Sequence, residues 1–254
     1  MVTSVKGKMT YAIEYNISNA VSAVLDLVYP RYCEACGGVA DIEGRYLCWE
    51  CLSGMPVITP PYCSICGDPV DGDVYSRFVC STCNDTKPDF DLARSAVRFR
   101  GPVKDLVHRL KYSSAMHLAG TLCDIMVPCF ESNYRSLCPD VIVCVPMFGR
   151  KERERTYNQA EVIAGELAKR VGMPFWGGLI KKVKDTGTQT NFNASQRRKN
   201  IRGSFVVTQP EWCEGRRFLL VDDVMTTGST VNEVSGLLMK NGAVGVNVLT
   251  LARG

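Results

Sequence analysis

The stretch from Phe218 to Thr230, FLLVDDVMTTGST, constrains the fold of this chain more than any other part of the sequence. Its four leading apolar residues, Phe218–Val221, predict a fully buried strand, and two adjacent carboxylates follow, Asp222 and Asp223. These carboxylates suit vicinal ribose hydroxyls or a hydrated Mg²⁺. The small and hydroxyl residues that come next predict a loop whose backbone N–H groups converge on one phosphate at a helix N-terminus. The loop residues are Thr226, Thr227, Gly228, Ser229 and Thr230.

The same residues resemble the phosphoribosyl-pyrophosphate (PRPP) motif of type I phosphoribosyltransferases. That motif is an apolar strand, two acidic residues, two mostly apolar residues and TTG-x-T. A strand ending in a polar turn is the alternative, and it explains the acidic pair alone better than it explains the whole string. The resemblance implies PRPP or a related ribose 5-phosphate as the ligand and catalytic roles for Asp222 and Asp223. It also implies PRPP binding by Val224, Met225, Thr226, Thr227, Gly228, Ser229 and Thr230.

A second constraint comes from four C-x-x-C pairs, which form an internal repeat. YCEACG at residues 32–37 returns as YCSICG at residues 62–67. Each C-x-x-C pair is predicted to form a zinc knuckle, a tight turn that points two thiolates at one ion. Two knuckles make the closed tetrahedral Cys₄ site of structural zinc. A redox C-x-x-C would stand alone beside a βαβ pattern, and iron–sulfur ligands usually follow another spacing. We therefore predict two structural zinc ions. The repeat favours sequential pairing of the knuckles, with cross-bracing as the alternative. The predicted ligands are Cys33, Cys36, Cys48, Cys51, Cys63, Cys66, Cys80 and Cys83.

The hydropathy and charge of the sequence indicate where in the cell the protein is expected. The amino-terminal residues contain no long apolar stretch and no cleavage-site pattern. No segment reaches the roughly 18 uninterrupted apolar residues that span a membrane. We therefore predict a cytoplasmic protein without a membrane span, in which the cysteines are reduced thiols and paired spacing indicates metal. The formal net charge of +4 fits phosphate ligands and permits nucleic acid.

The order of the remaining segments predicts three parts: an N-terminal amphipathic helix (1–30), a double zinc ribbon (31–87) and a phosphoribosyltransferase-like domain (88–254). After a linker at Pro88–Asp91, apolar runs alternate with helical periodicity. This alternation predicts a doubly wound parallel sheet, whose ligands bind at the carboxyl ends of the strands. The predicted strands are Ala93–Phe99, Asp140–Val145, Phe218–Val221 and Ala243–Ala252, with a further strand after Gly203, and the predicted helices include Val103–Tyr112 and Ala115 to about Phe130.

The loops that follow the predicted strands Asp140–Val145 and Phe218–Val221 are expected to face the same crevice. A basic loop after Pro146 runs into a helix that ends near Gly172, and its guanidinium groups suit a pyrophosphate; a solvated charged face is the alternative. The pyrophosphate residues are predicted to be Arg150, Lys151 and Arg155. The polar segment from residue 184 to 203 is either a mobile lid or a plain surface loop. Its predicted lid residues are Gln189, Arg198 and Asn200.

Taken in sequence order, these pieces resemble the ComF family, the competence-associated relatives of phosphoribosyltransferases. The resemblance covers about Leu25 to Arg253. It rests on the double ribbon, the PRPP motif and four short strings: Leu110-Lys111-Tyr112, Tyr157-Asn158-Gln159-Ala160, Arg197-Arg198-Lys199-Asn200 and Leu251-Ala252-Arg253. Thr156 stands where the family usually has a glycine. The resemblance implies an α/β fold, namely a type I phosphoribosyltransferase core with a parallel sheet and flanking helices, preceded by a small double zinc-ribbon module near the usual hood position.

Two functions follow from the resemblance. The first is a Mg²⁺-dependent phosphoribosyltransferase that displaces pyrophosphate from PRPP with an unknown acceptor. The second is a non-enzymatic, PRPP-sensing accessory of DNA uptake that binds single-stranded DNA or a helicase partner. The ribbons are mildly acidic, which speaks against direct DNA binding by that module, because single strands bind where aromatic residues alternate with positive charge.

Overall fold

The structure, a computed structural model, describes residues 31–42, 45–70, 72, 77–113, 115–187 and 194–254, without the side chains of 194, 195, 197 and 198. The described residues fall into two compact units that divide between Ser53 and Gly54. The second pair of zinc knuckles, residues 63–83, therefore belongs to the same unit as the sheet. The boundary predicted from the sequence lies later, at residues 87–88. The predicted N-terminal helix, residues 1–30, lies outside the described residues.

Both copies of the internal repeat form the same tight turn. The Gly37 N–H donates to the Cys33 carbonyl over 2.8 Å, and the Gly67 N–H donates to the Cys63 carbonyl over 2.9 Å. Both glycines have positive φ angles, 76° at Gly37 and 67° at Gly67, a conformation that residues with a Cβ disfavour. The glycine after each knuckle is therefore required by the backbone.

The second unit contains a four-stranded, wholly parallel sheet with strand order β1-β6-β5-β2. Its strands are β1 (Leu92–Arg98), β2 (Val141–Cys144), β5 (Arg217–Met225) and β6 (Gly245–Arg253). β2 is buried along its whole length, and β6 is buried except at Arg253. Strands covered on both faces are typical of parallel sheets with flanking helices. The predicted parallel sheet is confirmed.

Helices cover both faces of this sheet. The helices are α1 (Trp49–Ser53), α2 (Ser81–Thr86), α3 (Pro102–Tyr112), α4 (Leu118–Asn133), α5 (Gly149–Arg155), α6 (Gln159–Val171), α7 (Ala194–Ile201) and α8 (Ser229–Lys240), with 3₁₀ turns at Arg135–Leu137 and Pro210–Trp212. Val143, Leu220 and Val248 share one core cluster with Val234 and Leu238 of α8. On the opposite face α4 contacts β1 and β6, and α6 contacts β2 and β5. Successive strand side chains alternate between faces, so the continuous apolar runs of the strands supply both layers.

The strand that leads into the acidic pair is longer than predicted. The sequence predicted its end at Val221, but β5 continues to Met225. β6 extends equally far and pairs with the added residues, with Asp222 opposite Thr250, Val224 opposite Ala252 and Met225 opposite Arg253. The acidic pair therefore lies within a paired strand, and the loop begins only at residue 226.

The prediction of a basic loop after Pro146 is wrong, because these residues form helix α5. The run GRKERER consists largely of Arg, Lys and Glu, which are strong helix formers. Arg150 and Glu154, four residues apart, also form an ion pair of 3.8 Å on the helix surface. Side-chain charge suggested a loop, whereas backbone propensity favours a helix.

The predicted strand after Gly203 exists but does not join the main sheet. β4 (Phe205–Val207) pairs antiparallel with β3 (Ile180–Lys182) in a separate two-stranded sheet. β3 was not predicted from the sequence. Lys182, its last residue, also forms a parallel bridge with Phe148 at the start of α5. The small sheet therefore brings the segment that follows Lys182 next to the basic helix.

Candidate functional site

The loop of residues 226–230 connects β5 to α8 at the carboxyl end of the sheet. Gly228 caps α8 with a φ of 73°, and a Cβ at that position would lie 2.8 Å from the Met225 Cε atom. The Thr227 and Ser229 hydroxyl oxygens lie 2.8 Å apart, and the Ser229 N–H donates to Thr227 Oγ1 over 3.4 Å. The first N–H groups of a helix have no partner within the helix. The loop therefore presents hydroxyls and backbone donors where an anion is favoured.

Asp222 and Asp223 are half-buried at the end of β5. The Asp223 N–H donates to Asp222 Oδ1 over 2.9 Å, and the Val224 N–H donates to Asp223 Oδ1 over 2.6 Å. The ammonium group of Lys111 lies 2.7 Å from Asp223 Oδ2. Burial, and next the negative charge of Asp223, raise the pKa of Asp222 to about 8, against the opposing effects of Lys111 and Lys182. Near neutral pH the pair therefore holds a proton that a bound cation would displace.

Two lysines near the acidic pair are absent from the predicted site residues. Lys111 belongs to the Leu110–Tyr112 string, and this string is the sequence signal that points to it. Lys182 had no sequence signal, because β3 was not predicted. Its ammonium group donates to Thr186 Oγ1 over 2.9 Å, and burial, followed by repulsion from Lys151, lowers its pKa.

The three residues predicted to hold pyrophosphate all lie on α5 and have partners. Arg150 forms an ion pair with Asp185, and the Lys151 ammonium donates to the Gly187 carbonyl over 2.8 Å. Arg155 donates to Gln159 Oε1 over 3.1 Å. Two of the three basic side chains therefore contact the polar segment after β3, and the third is fixed to the start of α6.

The C-terminal end of α3 connects these groups. Lys111 forms an ion pair with Asp223. The hydroxyl of the neighbouring Tyr112 accepts a hydrogen bond from Arg155 over 3.2 Å. The guanidinium of Arg155 lies 4.8 Å from the centre of the Tyr112 ring. The Tyr157 hydroxyl donates to the Leu110 carbonyl. One tripeptide therefore contacts both the acidic pair and the basic helix.

One predicted lid residue can be placed. Asn200 on α7 donates from its side-chain amide to the Thr186 carbonyl over 2.7 Å, so it contacts the segment that also binds Arg150 and Lys151. Gln189 lies outside the described residues, and the side chain of Arg198 is not described.

The eight paired cysteines form two clusters, one in each unit. One contains Cys33, Cys36, Cys48 and Cys51, the other Cys63, Cys66, Cys80 and Cys83, and within each cluster the sulfur atoms lie within 4.8 Å of one another. The pairing is therefore sequential, and the cross-braced alternative is wrong.

The sulfur separations suit zinc. Cys36 Sγ lies 3.7 Å from Cys48 Sγ, and Cys66 Sγ lies 3.7 Å from Cys80 Sγ. Tetrahedral zinc with Zn–S bonds of about 2.3 Å needs sulfurs roughly 3.8 Å apart. We conclude that each cluster fits one structural zinc ion.

A cavity of ≈ 880 Å³ lies between the second zinc cluster and the 226–230 loop. Cys66, Cys80 and Cys83 line one side of the cavity and Thr226–Ser229 line the other. Arg253 also lines the cavity. All of these residues belong to the second compact unit.

Comparison with known proteins identifies the two parts of the chain. Residues 136–254 match the phosphoribosyl transferase domain, and residues 24–86 match the double zinc ribbon domain. The fold and the site therefore define a phosphoribosyltransferase-like protein that carries a double zinc ribbon.

Relatives match over most of the chain. It is 31% identical over 226 residues to competence protein F of Haemophilus influenzae, covering 87% of this chain and 96% of the relative. It is 30% identical over 221 residues to the DNA utilization protein YhgH of Salmonella typhimurium, covering 82% and 96%. The competence protein ComFC of Bacillus subtilis is 26% identical over 217 residues, covering 82% and 84%. The chain therefore belongs to the same family as competence protein F, the ComF family.

The described part of the chain holds no helix that is both long enough and apolar enough to cross a membrane.

Proposed function

We propose that this protein binds PRPP and transfers its ribose 5-phosphate to an acceptor with release of pyrophosphate. One observation carries the proposal. A half-buried acidic pair, with Asp223 paired to Lys111, lies near the end of a parallel strand that leads into a glycine-capped loop at the start of α8. This arrangement offers hydrogen-bond acceptors for ribose hydroxyls beside donors for a 5′-phosphate.

The roles of the residues follow from this geometry. The 226–230 loop would hold the 5′-phosphate, and Asp222 and Asp223 would hold the ribose while positive charge develops at its C1 atom. Arg155, already oriented by Gln159 and Tyr112, would bind the departing pyrophosphate, together with Arg150 and Lys151. The bond between C1 and the pyrophosphate oxygen breaks as the acceptor atom bonds to C1. Positioning and charge stabilisation therefore supply most of the catalysis.

Mg²⁺ fits the acidic pair, because carboxylate oxygens are the ligands this ion prefers, usually together with phosphates of the substrate. When bound, it would neutralise charge on the pyrophosphate. The proton that burial keeps on Asp222 at neutral pH would leave when the ion binds. Proton release on binding is therefore the signature of this role.

Turnover is tested by pyrophosphate release. Purified protein is incubated with Mg²⁺, PRPP and a panel of nucleobases and amines, and released pyrophosphate is measured. We expect acceptor-dependent release that is lost in the double variant Asp222→Asn, Asp223→Asn and retained in the surface variant Asp105→Asn. Tight PRPP binding without release for any acceptor would contradict the transferase function.

The names of the relatives favour a second candidate function, a PRPP-sensing accessory of DNA uptake that binds single-stranded DNA or a helicase partner. If the basic string at residues 197–200 contacts DNA, replacing Arg197 and Arg198 with Ala should weaken binding to single-stranded oligonucleotides. It should also reduce the salt dependence of binding, because each single-strand phosphate contact contributes about −0.7 to the slope of log affinity against log salt concentration. Arg135, which pairs with Glu131 on the surface, is the control position. Absence of DNA binding at low salt together with pyrophosphate release would decide for the enzyme.

A further inference from the structure

The second zinc cluster and the 226–230 loop are connected by hydrogen bonds at both ends of the loop. We propose that this zinc site positions the loop, through Arg253 at its start and Asp89 at the helix that follows it. Metal binding at Cys63–Cys83 and ligand binding at the loop are then coupled. The identity of the ligand rests on the proposed function, whereas the effect of the metal on the loop does not.

The first connection is Arg253, the last residue of β6, which pairs with Met225 in the sheet. Its Nε donates to Asp68 Oδ1 over 3.0 Å, and its Nη2 lies 3.9 Å from Cys66 Sγ. The next residue, Gly254, donates its N–H to the Met225 carbonyl over 3.0 Å. The side chain of Arg253 therefore contacts the zinc knuckle, while the adjacent backbone holds the residue directly before the loop.

The charge of Arg253 explains why the metal matters. Its side chain is only 10% exposed, and its Nη1 atom is buried without a hydrogen-bond partner among the described residues. A zinc ion with four thiolate ligands carries net negative charge, which favours a guanidinium beside it. Asp68 supplies one negative charge at Nε, and the zinc thiolates would supply further charge beside Nη2, which lies next to Cys66 Sγ. Metal at this cluster therefore adds to the contacts that hold Arg253 in place.

The second connection is Asp89, which follows the last zinc ligand and α2. Its backbone N–H donates to Asn232 Oδ1 over 2.8 Å, and its carboxylate accepts from Asn232 Nδ2 over 3.0 Å. Asn232 lies in the first turn of α8, where its own N–H donates to the Gly228 carbonyl over 2.9 Å. A Cβ at Gly236 would lie 2.8 Å from Asp89 Oδ2, so Asp89 packs directly on α8.

Between these connections the two walls face each other across the cavity of ≈ 880 Å³. Packed side chains do not fill this space, so the separation between knuckle and loop depends on the bonds at its edges. If zinc stabilises one loop position, a ligand that needs this position must in turn stabilise zinc binding. Such coupling is reciprocal and commonly changes affinity by about fivefold or more.

The molecule contains a matched contact that lacks this connection. Arg94 on β1 also fixes the second ribbon, since its Nη2 donates to the Ser64 carbonyl over 3.1 Å and its guanidinium lies 4.6 Å from the Tyr62 ring centre. Its other hydrogen bonds go to the carbonyls of Ile65 and Ala93, which are not in the loop. A merely structural role for ribbon docking would make Arg94 and Arg253 equivalent, whereas the proposal separates them.

The first experiment uses the full-length protein without ligand. Cys63→Ser and Cys33→Ser remove equivalent ligands from the second and first clusters, and each should lose one zinc ion by elemental analysis. Amide hydrogen exchange is then measured in peptides covering residues 225–232. We expect faster exchange there in Cys63→Ser and wild-type rates in Cys33→Ser. Equal rates in both variants would overturn the proposal.

Arg253→Gln keeps all eight ligands and covers the case in which Cys63→Ser does not fold. We expect faster exchange at residues 225–232 in Arg253→Gln than in Arg94→Gln, with partial rescue by Arg253→Lys, which retains the charge. Equal exchange in the two Gln variants would contradict the proposal.

The second experiment titrates the zinc-loaded protein with a metallochromic chelator to equilibrium, with and without ribose 5-phosphate. The sugar phosphate should raise the affinity for one of the two ions about fivefold or more in the wild type and in Arg94→Gln, but not in Arg253→Gln. Protection of neither ion, or of both equally, would overturn the coupling if calorimetry shows that ribose 5-phosphate binds. If calorimetry shows no binding, the proposed function fails, and hydrogen exchange alone decides whether zinc positions the loop.

Discussion

At the scale of single residues, Thr156 has a backbone conformation that favours glycine. It follows α5 with a φ of 72°, at the position where the resemblance led us to expect a glycine. A left-handed conformation costs a residue with a Cβ about 1–2 kcal/mol. Thr156 Oγ1 donates to the Arg155 carbonyl over 2.6 Å, which offsets part of that cost. The left-handed angle at this position is one that glycine would adopt without strain, and this chain adopts it with a threonine.

Replacing this threonine tests the explanation. Thr156→Gly should raise the free energy of unfolding by roughly 0.5–1 kcal/mol, because relief of the left-handed strain exceeds the added chain entropy of glycine. Chemical denaturation measures the change. Thr156→Ala is the control, since it removes the hydroxyl but keeps a Cβ, and it should not stabilise the protein. A destabilised glycine variant would contradict the account.

The raised pKa of Asp222 predicts a pH-dependent stability. The unfolded carboxyl loses its proton near pH 3.9, about the ordinary value, whereas the folded one holds it to about pH 8. Between these values the folded state binds more protons, so the free energy of unfolding falls as pH rises. Asp222→Asn removes this dependence. It should therefore stabilise the protein more at pH 8.5 than at pH 5.5.

Denaturation of wild type and variant at the two pH values measures this difference. The exposed Asp105 on α3 supplies the control, because Asp105→Asn should change stability equally at both. A pH-independent effect of Asp222→Asn would show that its carboxyl titrates normally.

At the scale of elements, the turn from β5 into α8 depends on Gly228. Gly172 ends α6 with a similar φ of 70°, but a Cβ there meets nothing within 4 Å, whereas a Cβ at Gly228 would meet Met225. Gly172→Val and Gly228→Val should both destabilise the protein through left-handed strain. Only Gly228→Val should abolish binding of ribose 5-phosphate, measured by calorimetry. Wild-type affinity in a folded Gly228→Val would remove the loop from the site.

How far the elements could be predicted depended on the type of signal. Long apolar runs such as Phe218–Val221 identified the main strands, because burial on both faces leaves an unmistakable pattern. β3 is only three residues long and lacks such a pattern. The contact between Lys111 and Asp223 joins distant parts of the chain, so no local pattern could reveal it. The 226–230 loop could be predicted from a local sequence motif, whereas the contacts of the acidic pair could not.

At the scale of the whole molecule, the sequence repeat conceals a difference between its two copies. The knuckle turns are alike, yet the second cluster belongs to the compact unit of the sheet and the first does not. Arg94 and Arg253 contact the second copy from β1 and β6. The repeat alone cannot predict this difference, because the two copies have the same cysteine pattern. The difference arises from residues of the sheet that contact the second copy.

The central claim is that the acidic pair and the 226–230 loop together bind PRPP, and calorimetric titration tests it most directly. Wild type and the double variant Asp222→Asn, Asp223→Asn are titrated with PRPP and with ribose 5-phosphate, each with and without Mg²⁺. Each charged hydrogen bond removed should cost about 1.5–3 kcal/mol. We predict that the double variant loses at least about tenfold in affinity for PRPP with Mg²⁺, and loses less for ribose 5-phosphate because the loop is intact. A double variant that binds PRPP as tightly as the wild type would contradict the claim.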